Sequence, residues 1–166
     1  MVAMGHRVVA VDDSLAMLRH VTGARRVCAD LFSLELRAAF DAVVVGSYMV
    51  NTPDVARRHA LLGVARRHVG PAGVVLVQRH DPEWLAGPAD SAGPAGPVDV
   101  TVRVLGRGPG VVCLEVGYVV GGRSWTVPVT AAELSDDGLA EDAAVCGLRL
   151  DGFLDERRTW ARLRVG

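Results

Sequence analysis

The stretch GHRVVAVDDSLAML (residues 5–18) combines a strand, an acidic turn and the start of a helix in one short segment. Its run HRVVAV (residues 6–11) is rich in valine, which is typical of a parallel strand covered on both faces. Asp12 and Asp13 end this run, and Ser14 can cap a helix whose apolar residues recur at helical spacing. The stretch therefore predicts the beginning of an α/β sheet.

Length and composition limit the kinds of protein this can be. With 166 residues, 50% of them hydrophobic, the chain suits a single domain (residues 1–166) with its own core. Its formal net charge of −1 argues against a nucleic-acid partner, which requires a basic surface. No apolar run approaches the roughly 20 residues of a membrane-spanning helix, and the first residues lack a signal-peptide layout. We expect a cytoplasmic protein with no membrane partner.

The three cysteines are odd in number and far apart, at Cys28, Cys113 and Cys146. This spacing supports neither a disulfide framework nor a paired-cysteine metal site. We therefore expect free thiols and no bound metal.

Strands and helices alternate through the first half of the chain. RVCA (residues 26–29) predicts a second strand, and FDAVVVGS (residues 40–47) a third. Residues 52–69 predict a helix, with Thr52 as its cap, and residues 74–78 a fourth strand. Such alternation favours a mostly parallel sheet with right-handed crossovers.

The second half has a different pattern. AGPADSAGPAGP (residues 86–97) is rich in glycine and proline, and it predicts an exposed, flexible loop. The period-two segments that follow predict antiparallel strands, with GRGPG (residues 106–110) as a hairpin turn. A helix is expected over residues 131–146, followed by two terminal strands.

Six segments together resemble a known family: AVDDSLAML, VCADLF, FDAVVVGSYMVN, VGPAGVVLVQRHDPEWL, GYVVGGRSWTVPVTAAEL and LDERRTW. In order and spacing they are similar to the class I methyltransferases that use S-adenosylmethionine, in particular the small-molecule type of actinobacteria. The resemblance extends over nearly the whole chain. It implies a three-layer Rossmann-like sheet, mostly parallel, with antiparallel strands in the C-terminal part.

The resemblance also implies a cofactor site at the carboxyl ends of the first two strands. Asp12, with Asp13 beside it, matches the position that accepts hydrogen bonds from the ribose hydroxyls of S-adenosylmethionine. Asp30, Leu31 and Phe32 match the position that holds the adenine. The alternative for the three carboxylates is a helix cap or a turn.

Two further groups of residues match the mouth of the active site in this family. Ser47 and Asn51 correspond to cofactor-binding positions, and Tyr48 to a catalytic position, although packing and chain reversal are the alternative roles. His80 and Asp81 follow the fourth strand, where a histidine with a nearby carboxylate could take a proton from an acceptor hydroxyl or amine. The alternative for this pair is a solvated loop before Pro82.

The resemblance further implies a helix and a glycine-rich first strand before Gly5, which this sequence lacks, so we expect an N-terminally truncated version of the fold. The family's first strand lies between the strands at Val8 and Val43, whose facing edges would then lack a partner. Either these strands pair directly with each other or a second copy covers them. We expect self-association, most simply a homodimer.

Three functions are open on these observations. The resemblance implies methyl transfer from S-adenosylmethionine to an oxygen or nitrogen of a small molecule. A second possibility is a repurposed enzyme that performs acid–base or cyclisation chemistry without the cofactor. A third is a non-catalytic partner of a complete methyltransferase.

Overall fold

A computed structural model describes residues 1–87 and 90–166. The elements, in chain order, are β1 (Val9–Asp12), α1 (Leu15–Leu18), β2 (Arg25–Cys28), β3 (Phe40–Val45), α2 (Val55–His68), β4 (Val69–Gln78), α3 (Pro82–Ala86), β5 (Ser91–Ala95), β6 (Val98–Gly108), β7 (Val111–Val120), β8 (Arg123–Ala132), α4 (Asp136–Val145), β9 (Leu148–Phe153) and β10 (Trp160–Val165), with short 3₁₀ helices at Val2–Met4 and Met49–Asn51. None of the helices within these two ranges is long and apolar enough to cross a membrane.

The strands form three sheets. β1 and β2 pair in parallel as a two-stranded sheet, and β3-β4-β10-β9 form a mixed sheet in which only β3 and β4 are parallel. β5-β6-β7-β8 form an antiparallel sheet. The predicted α/β class and the antiparallel C-terminal part are confirmed. Parallel pairing is confined to the first half of the chain, and antiparallel ladders outnumber parallel ones among the described residues.

The opening stretch folds as its local signals predict, with one difference. The Ser14 hydroxyl caps α1 by accepting a hydrogen bond from Met17 N at 3.3 Å. However, every residue of β1 is only half-buried, whereas the valine-rich run predicts a strand covered on both faces. The reason is that, among the described strands, β1 is hydrogen-bonded only to β2, so none of them lies beside its other edge.

The prediction of a loop over residues 86–97 is wrong for most residues of this segment that the structure describes. Ser91–Ala95 forms β5, which pairs antiparallel with β6 from Ser91↔Val102 to Ala95↔Val98. This ladder provides backbone hydrogen bonds that the composition of the segment does not predict. Pro88 and Ala89, which belong to the same predicted loop, lie outside the described residues.

The helix predicted over residues 131–146 begins later than expected. Ala131 and Ala132 are the buried end of β8, where they pair with Val112 and Val111, and α4 begins at Asp136. The Ser135 hydroxyl marks this start by accepting a hydrogen bond from Gly138 N at 3.0 Å. The error arises because alanine suits a helix, whereas pairing with β7 decides its conformation here.

The main core lies between the mixed sheet and the helices α2 and α4, which contact each other on the same side of that sheet. Its fully covered residues are Val50, Leu62, Val75, Val77, Leu139, Ala143, Ala161 and Leu163. A smaller apolar cluster joins α3 to the antiparallel sheet through Leu85, Val112, Leu114 and Ala131. The end of β4 lies between the two clusters along the chain, since Val77 belongs to the first and Leu85 to the second.

A buried arginine anchors that end of β4. Arg79 is fully covered, and it donates from Nε to Arg158 O at 2.8 Å and from Nη1 to Leu134 O at 3.1 Å. Its Nη2 pairs with Asp136, and its guanidinium lies 4.8 Å from the ring centroid of Phe153. Burial would raise the pKa of Asp136, but the hydrogen bonds and charges of Arg79 and Arg158 lower it overall. The carboxylate is therefore ionised at neutral pH and holds Arg79 in place.

We predict that Arg79→Met lowers the free energy of unfolding by about 3 kcal/mol or more, because it removes the donor of two carbonyls and leaves Asp136 with Arg158 alone as its arginine partner. Urea unfolding monitored by circular dichroism measures this change. Arg103→Met is the matched control, since Arg103 forms an exposed pair with Glu115 at 3.4 Å, and it should change stability by less than about 1 kcal/mol. Equal losses in the two variants would contradict an anchoring role for Arg79.

Candidate active site

Two cavities adjoin at the turn that follows β3. The first, of about 340 Å³, lies between β1 and β3. The second, an open cleft of about 940 Å³, lies between the ends of β3 and β4 and one face of the antiparallel sheet. Ser47 and Met49 line both cavities. A molecule bound in one would therefore have access to a molecule bound in the other.

The first cavity occupies the space between two strand edges. β1 and β3 are not hydrogen-bonded to each other, so the direct pairing considered from the sequence does not occur. Most of the cavity lining is apolar and comes from both strands and from the segment before β3: Val8, Val9, Val11, Leu31, Leu34, Leu36, Phe40, Ala42, Val43, Val44 and Val45. The polar end of the cavity is at Asp12 and Ser47, where both strands terminate.

Asp12 presents a carboxylate to this first cavity. Its Oδ1 accepts a hydrogen bond from Ser14 N at 2.8 Å, while Oδ2 has no hydrogen-bond partner within residues 1–87 and 90–166. Leu31 lines the same cavity and offers an apolar surface. Asp13 is exposed and outside the lining, although its carbonyl accepts a hydrogen bond from Cys28 Sγ at 3.4 Å. The two neighbouring carboxylates therefore lie in different surroundings.

Asp30 and Phe32 lie outside the first cavity. The Ser33 hydroxyl donates to Asp30 Oδ2 at 2.6 Å and Phe32 N donates to Oδ1 at 3.1 Å, and these hydrogen bonds lower the pKa of Asp30. The ring of Phe32 lies 4.2 Å from the Arg57 guanidinium and packs against the main core. Of the three residues expected around an adenine, the structure brings only Leu31 to the cavity that Asp12 lines.

The turn between the cavities has an uncommon backbone. Ser47 and Tyr48 both adopt the left-handed conformation, with φ of 58° and 56°. For residues other than glycine this conformation costs on the order of 1–3 kcal/mol each and persists only where the surroundings impose it. Ser47 N donates to Gln78 Oε1 at 2.9 Å, which ties the turn to the end of β4. The turn thereby directs the Tyr48 ring over the residue that follows Arg79.

That residue is His80, whose ring lies in a cluster with two other aromatic side chains. The Tyr48 ring stacks on it with centroids 4.3 Å apart and planes within 4° of parallel, and the Trp84 ring lies 5.8 Å away. Burial lowers the pKa of His80, so the ring is neutral at pH 7. Within the described residues neither ring nitrogen has a hydrogen-bond partner, and the residue lines the cleft. His80 can therefore accept a proton from a bound molecule.

The carboxylate of Asp81 is hydrogen-bonded to the backbone at the start of α3. Its Oδ1 accepts hydrogen bonds from Glu83 N at 2.9 Å and Trp84 N at 3.3 Å, which makes Asp81 the cap of α3. It lines the cleft but forms no hydrogen bond with the His80 ring. The structure thus places Tyr48 and His80 together and uses Asp81 to fix the helix beside them.

Asn51 also lines the cleft, but both ends of its amide have protein partners. Nδ2 donates to Ala132 O at 3.0 Å, and Oδ1 accepts from His80 N at 2.9 Å. The residue is only 3% exposed. In this arrangement Asn51 positions the backbone of His80 against the end of β8.

The opposite wall of the cleft contains none of the site residues predicted from the sequence. This wall is one face of the antiparallel sheet, formed mainly by Val100, Val102, Leu114, Val116, Tyr118 and Val129. The alternation in VDVTVRVLG and VVCLEVGYVV was a usable signal, since period-two patterns place one set of residues on one face. Which surface that face covers depends on the position of the whole sheet.

Solved structures of similar fold are methyltransferases. An S-adenosylmethionine-dependent methyltransferase from Clostridium acetobutylicum ATCC 824 matches with a TM-score of 0.79 and 14% identity, over 97% of this chain and 76% of that one. CalS10, an amino pentose methyltransferase from Micromonospora echinaspora, matches with a TM-score of 0.74 and 20% identity, over 96% and 74%. CcbJ, a methyltransferase from Streptomyces caelestis, matches with a TM-score of 0.74 and 16% identity, over 99% and 81%.

These likenesses show that the chain shares the Rossmann-like fold of these methyltransferases, although it is shorter than they are. No family model and no curated protein sequence matches the chain.

Because the Tyr48 ring excludes water from one face of His80, Tyr48→Ala should raise the pKa of His80 toward its ordinary value of about 6.5. An NMR titration of the His80 ring measures this pKa, with the resonance assigned by its loss in His80→Gln.

The lowered pKa of His80 also predicts how stability depends on pH. On acidification the unfolded chain protonates this histidine at a higher pH than the folded protein does, so the free energy of unfolding should fall as the pH drops below about 6.5.

Tyr118→Ala is the matched control for that titration. Tyr118 lines the same cleft but stacks on Trp125, with centroids 5.4 Å apart, so its removal should leave the pKa of His80 unchanged. If both tyrosine variants raised the pKa equally, opening of the cleft rather than the stacked ring would be responsible.

Proposed function

We propose that the chain is an S-adenosylmethionine-dependent methyltransferase that acts on an oxygen or nitrogen of a small molecule. The observation that carries this proposal is the junction of the two cavities at Ser47 and Met49. One cavity presents a carboxylate with a free oxygen, and the other presents a neutral histidine. These are the two groups that a bound nucleoside and a hydroxyl or amine acceptor require.

The residues around the first cavity fit the nucleoside part of the cofactor. Asp12 Oδ2 is free to accept hydrogen bonds from ribose hydroxyls, and Leu31 offers an apolar surface for the adenine. Ser47 lines both cavities, which suits the sulfonium, since its sulfur is bonded directly to the 5′ carbon of the nucleoside. When bound, the cofactor supplies an electrophilic methyl group on a sulfonium, which becomes a neutral thioether once the methyl carbon has bonded to the acceptor.

His80 removes the proton of the acceptor in this proposal. The ring is neutral because of its burial, and its nitrogens are available to a molecule in the cleft. Asn51 accepts a hydrogen bond from the backbone of His80, and the Tyr48 ring covers one face of the imidazole. These two contacts fix the orientation of the His80 ring in the cleft. Holding the acceptor near the methyl group provides most of the rate enhancement, and proton removal adds typically about 10²–10⁴-fold.

We predict that the protein binds S-adenosylmethionine and its demethylated product with micromolar affinity by calorimetric titration. Asp12→Ala should weaken this binding about tenfold or more, because hydrogen bonds to a charged group contribute about 1.5–3 kcal/mol. Asp41→Ala, which removes an exposed carboxylate of β3 outside the cavity lining, is the matched control and should bind both ligands as the unmodified protein does.

The absence of heat with both ligands would contradict methyl transfer. The alternatives would then be acid–base or cyclisation chemistry at His80 without the cofactor, or a non-catalytic partner role. Coexpression with a full-length homologue would separate these two alternatives, because only the partner role requires a complex.

We further propose that the chain self-associates as a homodimer. The argument is that β1 and β3 each have an edge that is hydrogen-bonded to no other described strand, and open edges promote association. Static light scattering over a range of concentrations should give the mass of two chains. A mass of one chain at every concentration would contradict this proposal.

A further inference from the structure

The cleft has two walls of different chemistry. One wall is the inner face of the antiparallel sheet, where the register pairs Val100 with Tyr118 and Val102 with Val116. In the neighbouring ladder Leu114 pairs with Val129 on the same face. Side chains of paired residues lie side by side, so this wall is a continuous surface of branched aliphatic groups that ends at one tyrosine.

The facing wall is aromatic. It consists of the Tyr48, His80 and Trp84 rings, two of them stacked in parallel. A gap between an aliphatic surface and a set of rings fits a flat or ring-bearing molecule that contacts apolar groups on both faces.

Charged groups are few among the described residues that line the cleft. Asp81 is the one carboxylate among them, and its Oδ1 already caps α3, while Arg157 is the one arginine. The environment of His80 also disfavours a positive charge, since burial keeps this ring neutral. Asp81 forms no hydrogen bond or ion pair with His80 among the described residues, so an ammonium group at this ring would have no counter-ion placed against it.

We propose that the acceptor is an uncharged, ring-bearing molecule with an apolar face, and that its nucleophile is a hydroxyl group on that ring. This inference rests on the proposed methyl transfer. The ring lies between the valine wall and the aromatic wall, and the hydroxyl meets His80. The hydroxyl proton passes to His80, and the oxygen forms the new bond to the methyl carbon as the bond between carbon and sulfur breaks.

Other acceptor classes fit this cleft less well. Hydroxyl side chains such as those of Ser91, Thr130 and Thr159 also line the cleft. A sugar lying on the aliphatic wall would nevertheless turn hydroxyl groups toward Val102, Val116 and Val129, which offer no hydrogen-bond partners, and unpaired polar groups are costly to bury. An amino sugar would add a positive charge. The inference thus separates this chain from its structural neighbour described as an amino pentose methyltransferase.

Three probes test the acceptor class by binding alone. Naphthol carries a hydroxyl on an apolar ring, naphthylmethylamine carries an ammonium on the same ring, and methyl glucoside is an uncharged polar ring. Valine methyl NMR spectra of the full chain report where each probe binds and how tightly. We expect naphthol to shift the methyl resonances of Val100, Val116 and Val129 and to bind at least about tenfold more tightly than either other probe.

Two nearly isosteric variants locate the contact. Val116→Thr replaces a methyl group of the wall with a hydroxyl, and it should weaken naphthol binding about threefold or more. Val119→Thr is the matched control, because Val119 lies on the same strand but on the opposite face and is 45% exposed. This variant should bind naphthol as the unmodified protein does.

The inference is overturned if naphthylmethylamine or methyl glucoside binds as tightly as naphthol, if naphthol shifts resonances away from the cleft, or if the two variants behave alike. Calorimetry with S-adenosylmethionine is the separate test of methyl transfer. Naphthol binding in the cleft without cofactor binding would overturn the methyltransferase proposal while still supporting an apolar ring as the ligand of the cleft.

Discussion

The buried amide of Asn51 is the contact on which the geometry of the cleft depends. Its Nδ2 donates to the last carbonyl of β8, that of Ala132, and its Oδ1 accepts from the backbone of His80, which follows β4. One side chain thus joins the antiparallel sheet to the mixed sheet. Either backbone group, if buried without a partner, would cost about 1–3 kcal/mol, so the two sheets are held in one relative position. The aliphatic wall and the aromatic wall face each other for this reason.

Two further contacts orient His80 within that frame. Arg79, the preceding residue, is enclosed by the carbonyls of Leu134 and Arg158 and by Asp136, which prevents the end of β4 from moving. On the other side, the left-handed turn carries the Tyr48 ring onto the imidazole. Backbone strain in that turn is stored where the two cavities meet, which is typical of functional sites. The lowered pKa of His80 follows from the burial that these contacts impose.

The cavity between β1 and β3 explains several properties of the N-terminal part at once. The valines of β1 are half-buried because no described strand lies beside their open edge, although their composition suits a strand in the middle of a sheet. Asp12 and Ser47 line the same cavity, so the proposed nucleoside site is continuous with the gap between β1 and β3.

Features set by neighbouring residues were determined by the sequence alone. The order of strands and helices up to β4 and the Ser14 cap depend on periodicity and capping, and the structure confirms them. The hairpin predicted at residues 106–110 also forms, but its turn is limited to Pro109 and Gly110, because residues 106–108 pair with β7. The positions of Asp12 and His80 at strand ends follow from the same signals. Contacts between distant residues were decided by the tertiary structure, because a single sequence does not encode them as a local pattern.

Two residues and one segment illustrate that difference. Asp81 caps α3 instead of pairing with His80, and both ends of the Asn51 amide bind backbone groups that lie far away in sequence. Residues 91–95 form a strand because β6 offers them a ladder, despite a composition that favours a loop. The sequence by itself thus determined which elements form and which polar residues end them. Only the packing of the sheets decided which of those residues meet, since it depends on hydrogen bonds and apolar contacts between segments that are remote along the chain.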